Sequence, residues 1–391
     1  MIPVDEALDR LFALVAPTET EMVPLAQSSG RVLVREVQAR RDQPPFAASA
    51  MDGYAVPGGE VRPGARFAVI GEAAAGRRFD GTVGPGQAVR IFTGAPVPEG
   101  ADRVVIQEDV TAEGTTITLG GNLDEGSNIR PAGGDFRIGD RISAPRRLRP
   151  QDVALAAAMN HPVLPVARRP VVALISNGDE LVMPGETPGP DQIVASNTFG
   201  IKALLEAEGA TVRILPAARD TAASLRLAFS LAASADLMVT IGGASVGDHD
   251  LVGRVAGELG MERAFYKVAM RPGKPLMAGR ISGVPMIGLP GNPVSAMVCG
   301  HVFLRPVIRA MLGLGAGPLA PSQMRLATDV AANGPRLHYM RAEVTDQGLR
   351  PFASQDSALL SVLARADAFV IRPVDAPAAS EGDTVPCLLL S

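Results

Sequence analysis

From residue 171 onward the chain alternates two periodicities, and this limits its fold more than any other feature. VVALIS is a continuous apolar strand, SNTFGIKALLEAEG a capped helix and TVRILPA a second strand. DTAASLRLAFSLAASA follows as a helix capped by Asp220 or Thr221, and DLMVTIGG is a third strand. VPMIGLPGNPVSAMVCGHVFLRPVIRAML adds a further strand, a proline-marked turn and a long helix. Strands without polar alternation must be covered on both faces, so this α/β alternation implies a mostly parallel sheet flanked by helices.

The flanking regions read differently. A helix spans Val4 to Val15, and residues 23–150 then run through short β-like stretches broken by Gly and Pro: RVLVREVQA, ARFAVIGEA, QAVRIFTGA, DRVVIQEDV and TTITLGG. QDVALAAAM starts a helix directly after Pro150, where a fixed φ is tolerated. After the Gly/Pro-rich LGLGAGPLAPSQ the last seventy or so residues return to short strands, expected to form a small all-β domain.

Bulk properties exclude several function classes. A formal charge of −4 offers no basic surface for a nucleic-acid backbone. The two cysteines, Cys299 and Cys387, lie far apart in apolar contexts, and the four histidines have no zinc-enzyme spacing. The N-terminal MIPVDEALDRLFALV has no basic region like that of a signal peptide, and no apolar run has the length of a membrane span, so the expectation is a cytoplasmic chain with neither membrane nor nucleic-acid partner.

Candidate chemistry sits in the α/β region. In open parallel sheets ligands bind beyond the carboxyl ends of the strands. Four loops begin there: Asn177-Gly178-Asp179-Glu180, Arg219-Asp220, the glycine loop Gly242, Gly243, Ser245, Gly247 to Asp250, and Pro290-Gly291-Asn292-Pro293. They are expected to meet in one crevice. Amide donors of the glycine loop can cradle an oxyanion, yet Glu180, Asp220, Asp248 and Asp250 would repel it. A divalent cation between them, such as Mg²⁺, reconciles the two, so the crevice is read as a site for a phosphate ester with its metal. In YKVAMRPGKP, strand alternation places Lys267 and Arg271 on one face with Lys274 at the following turn. Spacing alone leaves open a solvated strand end.

Each motif also has a plainer reading. GGASVG can be an ordinary strand-to-helix turn, and PGNPVSA a helix start with Asn292 as cap and Pro293 in the first turn. Asp52-Gly53 and Thr93-Gly94 read first as turns between strands, and Met297 and Cys299 as core or dimer interface.

Eight stretches in order resemble the MoeA-like molybdopterin molybdenumtransferases, the family that includes the gephyrin E domain. They are SAMDGYAV, IFTGAPVPEGADRVVIQED, NIRPAGGDF, SNGDELV, TIGGASVGDHD, KVAMRPGKP, GLPGNPVSA and QDSALLSVLARADAFVIRP. The resemblance spans nearly the whole chain. It implies an elongated homodimer with β-rich, discontinuous N-terminal lobes over 1–168 (about 42–127 inserted), a molybdopterin-binding α/β domain over 169–313 and a small C-terminal β-barrel over 320–391. The implied substrates are adenylylated molybdopterin and molybdate, with Mg²⁺ or a similar divalent ion. AMP leaves and molybdenum cofactor forms; implied partners are a molybdopterin adenylyltransferase and recipient molybdoenzymes. By resemblance, Glu180, Asp220 and Asp250 are acids of the central cleft. Asp52, Thr93 and Asp135 come from N-terminal lobes across the dimer interface. Lys267, Arg271 and Lys274 form the basic stretch, Pro290 and Pro293 the proline loop, and Arg341 and Ser361 face the cleft.

The chain departs from the family pattern in places. Arg271 stands where lysine is frequent, Ala244 where a branched residue is usual, Asn177 where threonine often precedes Gly-Asp-Glu, and Asp356 and Ala358 where glycines are common. Three other readings compete: a molybdopterin adenylyltransferase, a cofactor carrier without turnover, and a scaffold. The N- and C-terminal regions speak against the first, since that enzyme is essentially the central domain alone. The lack of a fused second domain speaks against the third.

Overall fold

The computed structural model describes residues 1–242 and 251–390. Its centre is a six-stranded sheet in the order Thr211–Ile214, Val171–Ser176, Leu237–Ile241, Val284–Leu289, Met277–Ile281, Glu262–Tyr266. The first four strands are parallel, and the last two join antiparallel as an edge hairpin. The uniformly apolar runs divide by pleat. Val172, Leu174, Leu237, Val239 and Ile241 share a core with the helices at Asn197–Ala207 and Pro293–Met311, whereas Ala173, Ile175 and Met238 face those at Ala222–Ala232 and Leu251–Glu258. Both faces are therefore dry, which accounts for strands without polar alternation.

The long helix contains a π turn, Gly300–Leu304, just ahead of Pro306. It is the one helix among the described residues long and apolar enough to cross a membrane, but 83% of its apolar window is buried inside the protein, as befits a core helix. Met297 and Cys299 belong to its packed face.

The first helix, Val4–Phe12, ends three residues earlier than its apolar pattern extends. Val4, Ala7, Leu8 and Leu11 place its stripe in the central core, and Arg10 donates to the Ala264 carbonyl at 2.6 Å. It thus packs on the α/β unit although it precedes the N-terminal lobes in sequence. One lobe is a six-stranded sheet ordered Arg103–Ile106, Gly53–Val56, Gln87–Ile91, Arg66–Ala73, Thr116–Leu119, Val110–Glu113. Here the turn reading of Asp52-Gly53 holds for Asp52, in the bend after Ala48–Ser49, but not for Gly53, which opens a strand between two neighbours. A Cβ at Gly53 would stand 2.0 Å from the Val105 carbonyl oxygen, so the glycine lets the backbones approach. Thr93-Gly94 is a turn, with Gly94 at φ 82°.

The C-terminal strands run Leu337–Thr345, Ala368–Arg372, Thr384–Leu389, Ser322–Arg325, with Gly348–Pro351 on the first. A Leu326–Leu349 bridge closes the ring into a small barrel. Two details depart from the sequence reading. Ser361 lies on a short helix, Leu360–Ala364, and Met270–Arg271 leaves the central region to pair with Leu337 and His338 of the barrel.

His301, on the long helix, meets Phe369 of the barrel edge-on with ring centroids 5.5 Å apart. Burial, reinforced by Arg305, pulls its pKa down to about 4. The unfolded chain therefore binds a proton that the folded one refuses, so stability is full above about pH 6.5 and falls as pH drops from there toward 4. His301→Gln is expected to flatten this decline, read as urea midpoint against pH; an unchanged profile would remove His301 from the acid sensitivity.

Candidate functional site

The carboxyl ends of the parallel strands surround a hollow of about 760 Å³. Three of the four loops anticipated there supply described residues to its lining, and Gly242 does so at the root of the fourth. Of the anticipated site residues, Glu180, Asp220, Gly242, Lys274, Pro290, Asn292 and Pro293 line it together. Gly243, Ser245, Gly247, Asp248 and Asp250 lie outside the described residues.

Local chain geometry places the two acids. Gly178 has φ 145°, and a Cβ there would stand 2.4 Å from Glu180 Oε2, so the glycine leaves room for the carboxylate to fold back over the backbone. Glu180 is exposed and lines the hollow. Asp220 precedes the helix Ala222–Ala232, but the cap is Thr221, whose Oγ1 accepts from the Ser224 amide at 3.2 Å. The Asp220 side chain is thereby left for the hollow, where Asn177 Nδ2 donates to its Oδ1 at 3.3 Å. Replacing Gly178 with alanine should push the Glu180 carboxylate aside and lower the melting temperature somewhat, because φ 145° strains any side chain, and a misplacement of roughly 1 Å at such a group costs about 10²-fold in rate. Wild-type turnover by Gly178→Ala would separate Glu180 from the chemistry.

The proline loop is braced from two sides. Asn197 Nδ2 donates to the Gly291 carbonyl at 2.7 Å, and Asn292 Nδ2 to Ser357 Oγ of the C-terminal domain at 3.1 Å. Asn292 is thus the N-cap by position, but its side chain serves the domain contact and makes no cap bond. Pro293 occupies the first turn, where its missing N–H costs nothing.

The basic cluster does not form as strand alternation suggests. The strand Glu262–Tyr266 stops before Lys267, which has φ 72° and lies over the Tyr266 ring at 5.0 Å. Arg271 pairs into the barrel sheet opposite His338, and of the three cations only Lys274 lines the hollow. Arg341 also turns inward. It is 1% exposed, and its guanidinium donates to the Leu359 and Ser354 carbonyls at 3.3 and 3.4 Å and to Gln355 Oε1 at 3.3 Å. It shapes the loop that carries Ser357, whereas Ser361 is exposed beyond that loop.

Asp52, Thr93 and Asp135 lie on the N-terminal lobes and do not line this chain's hollow. The Thr93 amide and hydroxyl donate to Asp52 Oδ1 at 2.7 and 2.8 Å and, with Arg90 nearby, hold Asp52 below the usual carboxylate range. Asp135 is exposed.

Among the described residues no three of His, Cys, Asp and Glu converge as a metal cluster. The hollow still offers hard oxygens: two carboxylates and the amide oxygen of Asn177, buried and without a partner. That set fits Mg²⁺, which keeps several waters and takes one or two carboxylates together with phosphate oxygens. Sequence reasoning named Asn177 as part of its loop and as a departure from the family's threonine, but not as a site residue; a polar pair, Ser176-Asn177, ending an otherwise apolar strand was the available signal.

Three sequence profiles match the chain in order: the MoeA N-terminal region (domains I and II) over residues 2–160, a probable molybdopterin-binding domain over 173–310 and the MoeA C-terminal region (domain IV) over 323–390. A molybdopterin molybdenumtransferase of Haemophilus influenzae is 33% identical over 98% of this chain and 98% of its own length. One from Nostoc sp. is 34% identical over 100% of this chain and 94% of its own. A molybdopterin biosynthesis MoeA protein from Pyrococcus horikoshii has a crystal structure that superposes with a TM-score of 0.84 at 26% identity, covering 100% of both chains.

Proposed function

Because the chain belongs to the MoeA family of molybdopterin molybdenumtransferases and inserts molybdenum into molybdopterin, we propose that its substrate arrives as the adenylate and that insertion is coupled to release of AMP. The observation that carries this reading is the single hollow uniting Glu180, Asp220 and Lys274 at the strand ends.

A phosphoanhydride resists water because its oxygens repel the nucleophile, so hydrolysis needs positive charge at those oxygens and a base for the water. Lys274 supplies the fixed charge. Asp220, held by Asn177, and the adjoining oxygens would hold Mg²⁺, whose chemistry when bound is neutralisation of phosphate charge. Glu180, which lines the hollow, takes the proton from the attacking water as the bond to phosphorus forms and AMP departs. The proline loop, braced by Asn197 and Ser357, fixes one wall against which the pterin lies. Molybdate is the second substrate. A second copy of the chain completes the cleft by bringing Asp52, Thr93 and Asp135 from its N-terminal lobes; molybdopterin adenylyltransferase upstream and molybdoenzymes downstream are the partners this reaction requires.

Incubating the protein with adenylylated molybdopterin, molybdate and Mg²⁺ and following AMP by chromatography tests the reading. AMP is expected only when molybdate and Mg²⁺ are both present; an intact adenylate would instead mark a carrier or scaffold.

A further inference from the structure

We infer that Asn177 is a ligand of the cation site, its amide oxygen completing a donor set with Asp220; this rests on the proposed use of a divalent cation in the hollow.

Asn177 ends the central strand Val171–Ser176 and is 5% exposed. Its backbone amide and one half of its side chain are committed. The amide donates to the Ile241 carbonyl at 3.3 Å, the backbone bridges to Ala218 in parallel register, and Nδ2 donates to Asp220 Oδ1 at 3.3 Å. Among the described residues Oδ1 has no partner. A buried amide oxygen without a donor costs roughly 1–3 kcal/mol, so such an atom calls for an explanation.

Its position provides one. A Cβ built on Gly242 would stand 3.5 Å from Asn177 Oδ1, so the oxygen lies at the root of the chain segment that leads on to Asp250, while Nδ2 faces Asp220. The side chain is fixed between two loops that carry acids. Its polarity is set by the carboxylate, since only the NH₂ end can donate to Asp220; the oxygen is therefore the end on the Gly242 side. A neutral carbonyl oxygen beside carboxylates is a ligand type suited to hard divalent cations, and it adds a donor without adding repulsion in the empty site. Where the family resemblance sets threonine, this chain presents an oxygen on a longer arm with a donor attached to it, so one residue both ligates and orients the neighbouring carboxylate.

Mn²⁺ titration of the full-length protein, read as loss of the free-ion electron paramagnetic resonance signal, tests this without turnover. Asn177→Ala should weaken Mn²⁺ binding by about 10- to 100-fold. Asn177→Thr, which restores an oxygen, should stay within several-fold of wild type. Asn177→Asp separates ligation from orientation, because it loses the donor to Asp220 but puts a charged oxygen at the same place. Tighter Mn²⁺ binding supports ligation; binding as weak as that of Asn177→Ala overturns it and leaves orientation of Asp220 as the role. Wild-type binding by a folded Asn177→Ala also overturns it. If the wild-type chain binds no Mn²⁺ yet releases AMP, the inference falls and the reaction stands. Mn²⁺ binding without AMP release removes the reaction and keeps the ligand.

Discussion

Asp220→Ala is expected to lower AMP release by about 10²–10³-fold, the usual cost of removing one group aimed at charge in a transition state. The fold should survive, for reasons visible in the loop. Asp220 is exposed, the helix that follows is capped by Thr221 and not by Asp220, and the bond lost is the one from Asn177 Nδ2. The variant should therefore fold, with a modest drop in melting temperature from the Asn177 Nδ2 left without its acceptor. If Asp220 acts on phosphate charge through a cation, as proposed, raising Mg²⁺ should recover part of the activity, whereas raising the adenylate should not. That pattern distinguishes lost cation affinity from a lost substrate contact. Turnover within twofold of wild type would remove Asp220 from the site.

Much of this site was legible because the α/β pattern alone assigns loops to strand ends. Once VVALIS and DLMVTIGG read as buried parallel strands, Glu180 and Asp220 had to emerge on the same rim, and the hollow holds both. Continuous burial is written in composition, so it survives without any knowledge of neighbours. The residues that escaped depend on neighbours. Lys267 and Arg271 share a face only if one strand runs through both, but the chain turns at Lys267 so that Met270 and Arg271 can complete the barrel sheet. That pairing partner lies more than sixty residues onward and leaves no local mark. Arg341 sits on a strand whose pattern gives no hint of an inward cation, since the compensating carbonyls belong to a loop that folds back over it. The Val4–Phe12 helix shows its apolar stripe plainly, yet which core receives that stripe is a tertiary choice.

Removal of Glu208 should be strongly destabilising. Glu208 follows the helix Asn197–Ala207 and is 6% exposed. Its Oε1 accepts from Arg305 Nε of the long helix at 2.6 Å, and its Oε2 from Arg147 of the N-terminal region at 3.2 Å. Arg147 also donates to the Glu208 carbonyl at 2.8 Å. A carboxylate at a helix C-terminus opposes the helix dipole, so these two cations are what make its burial tolerable. Glu208→Ala leaves both guanidinium groups facing each other at a buried junction, and breaking a buried pair in this way costs about 3–5 kcal/mol. Partial exposure of the Arg147 side chain, 30%, argues for about 3, the lower end of that range. Glu208→Gln keeps the shape and one acceptor and should lose less. A second substitution distinguishes a structural tie from an uncompensated charge: Glu208→Ala combined with Arg305→Met should be less destabilised than Glu208→Ala alone, because the stranded cation is gone. Urea unfolding of these three variants and of Arg305→Met alone reads these differences as midpoint shifts. If the double variant is instead the least stable, by the sum of the single losses, Glu208 and Arg305 act independently and the junction is not held by their pairing.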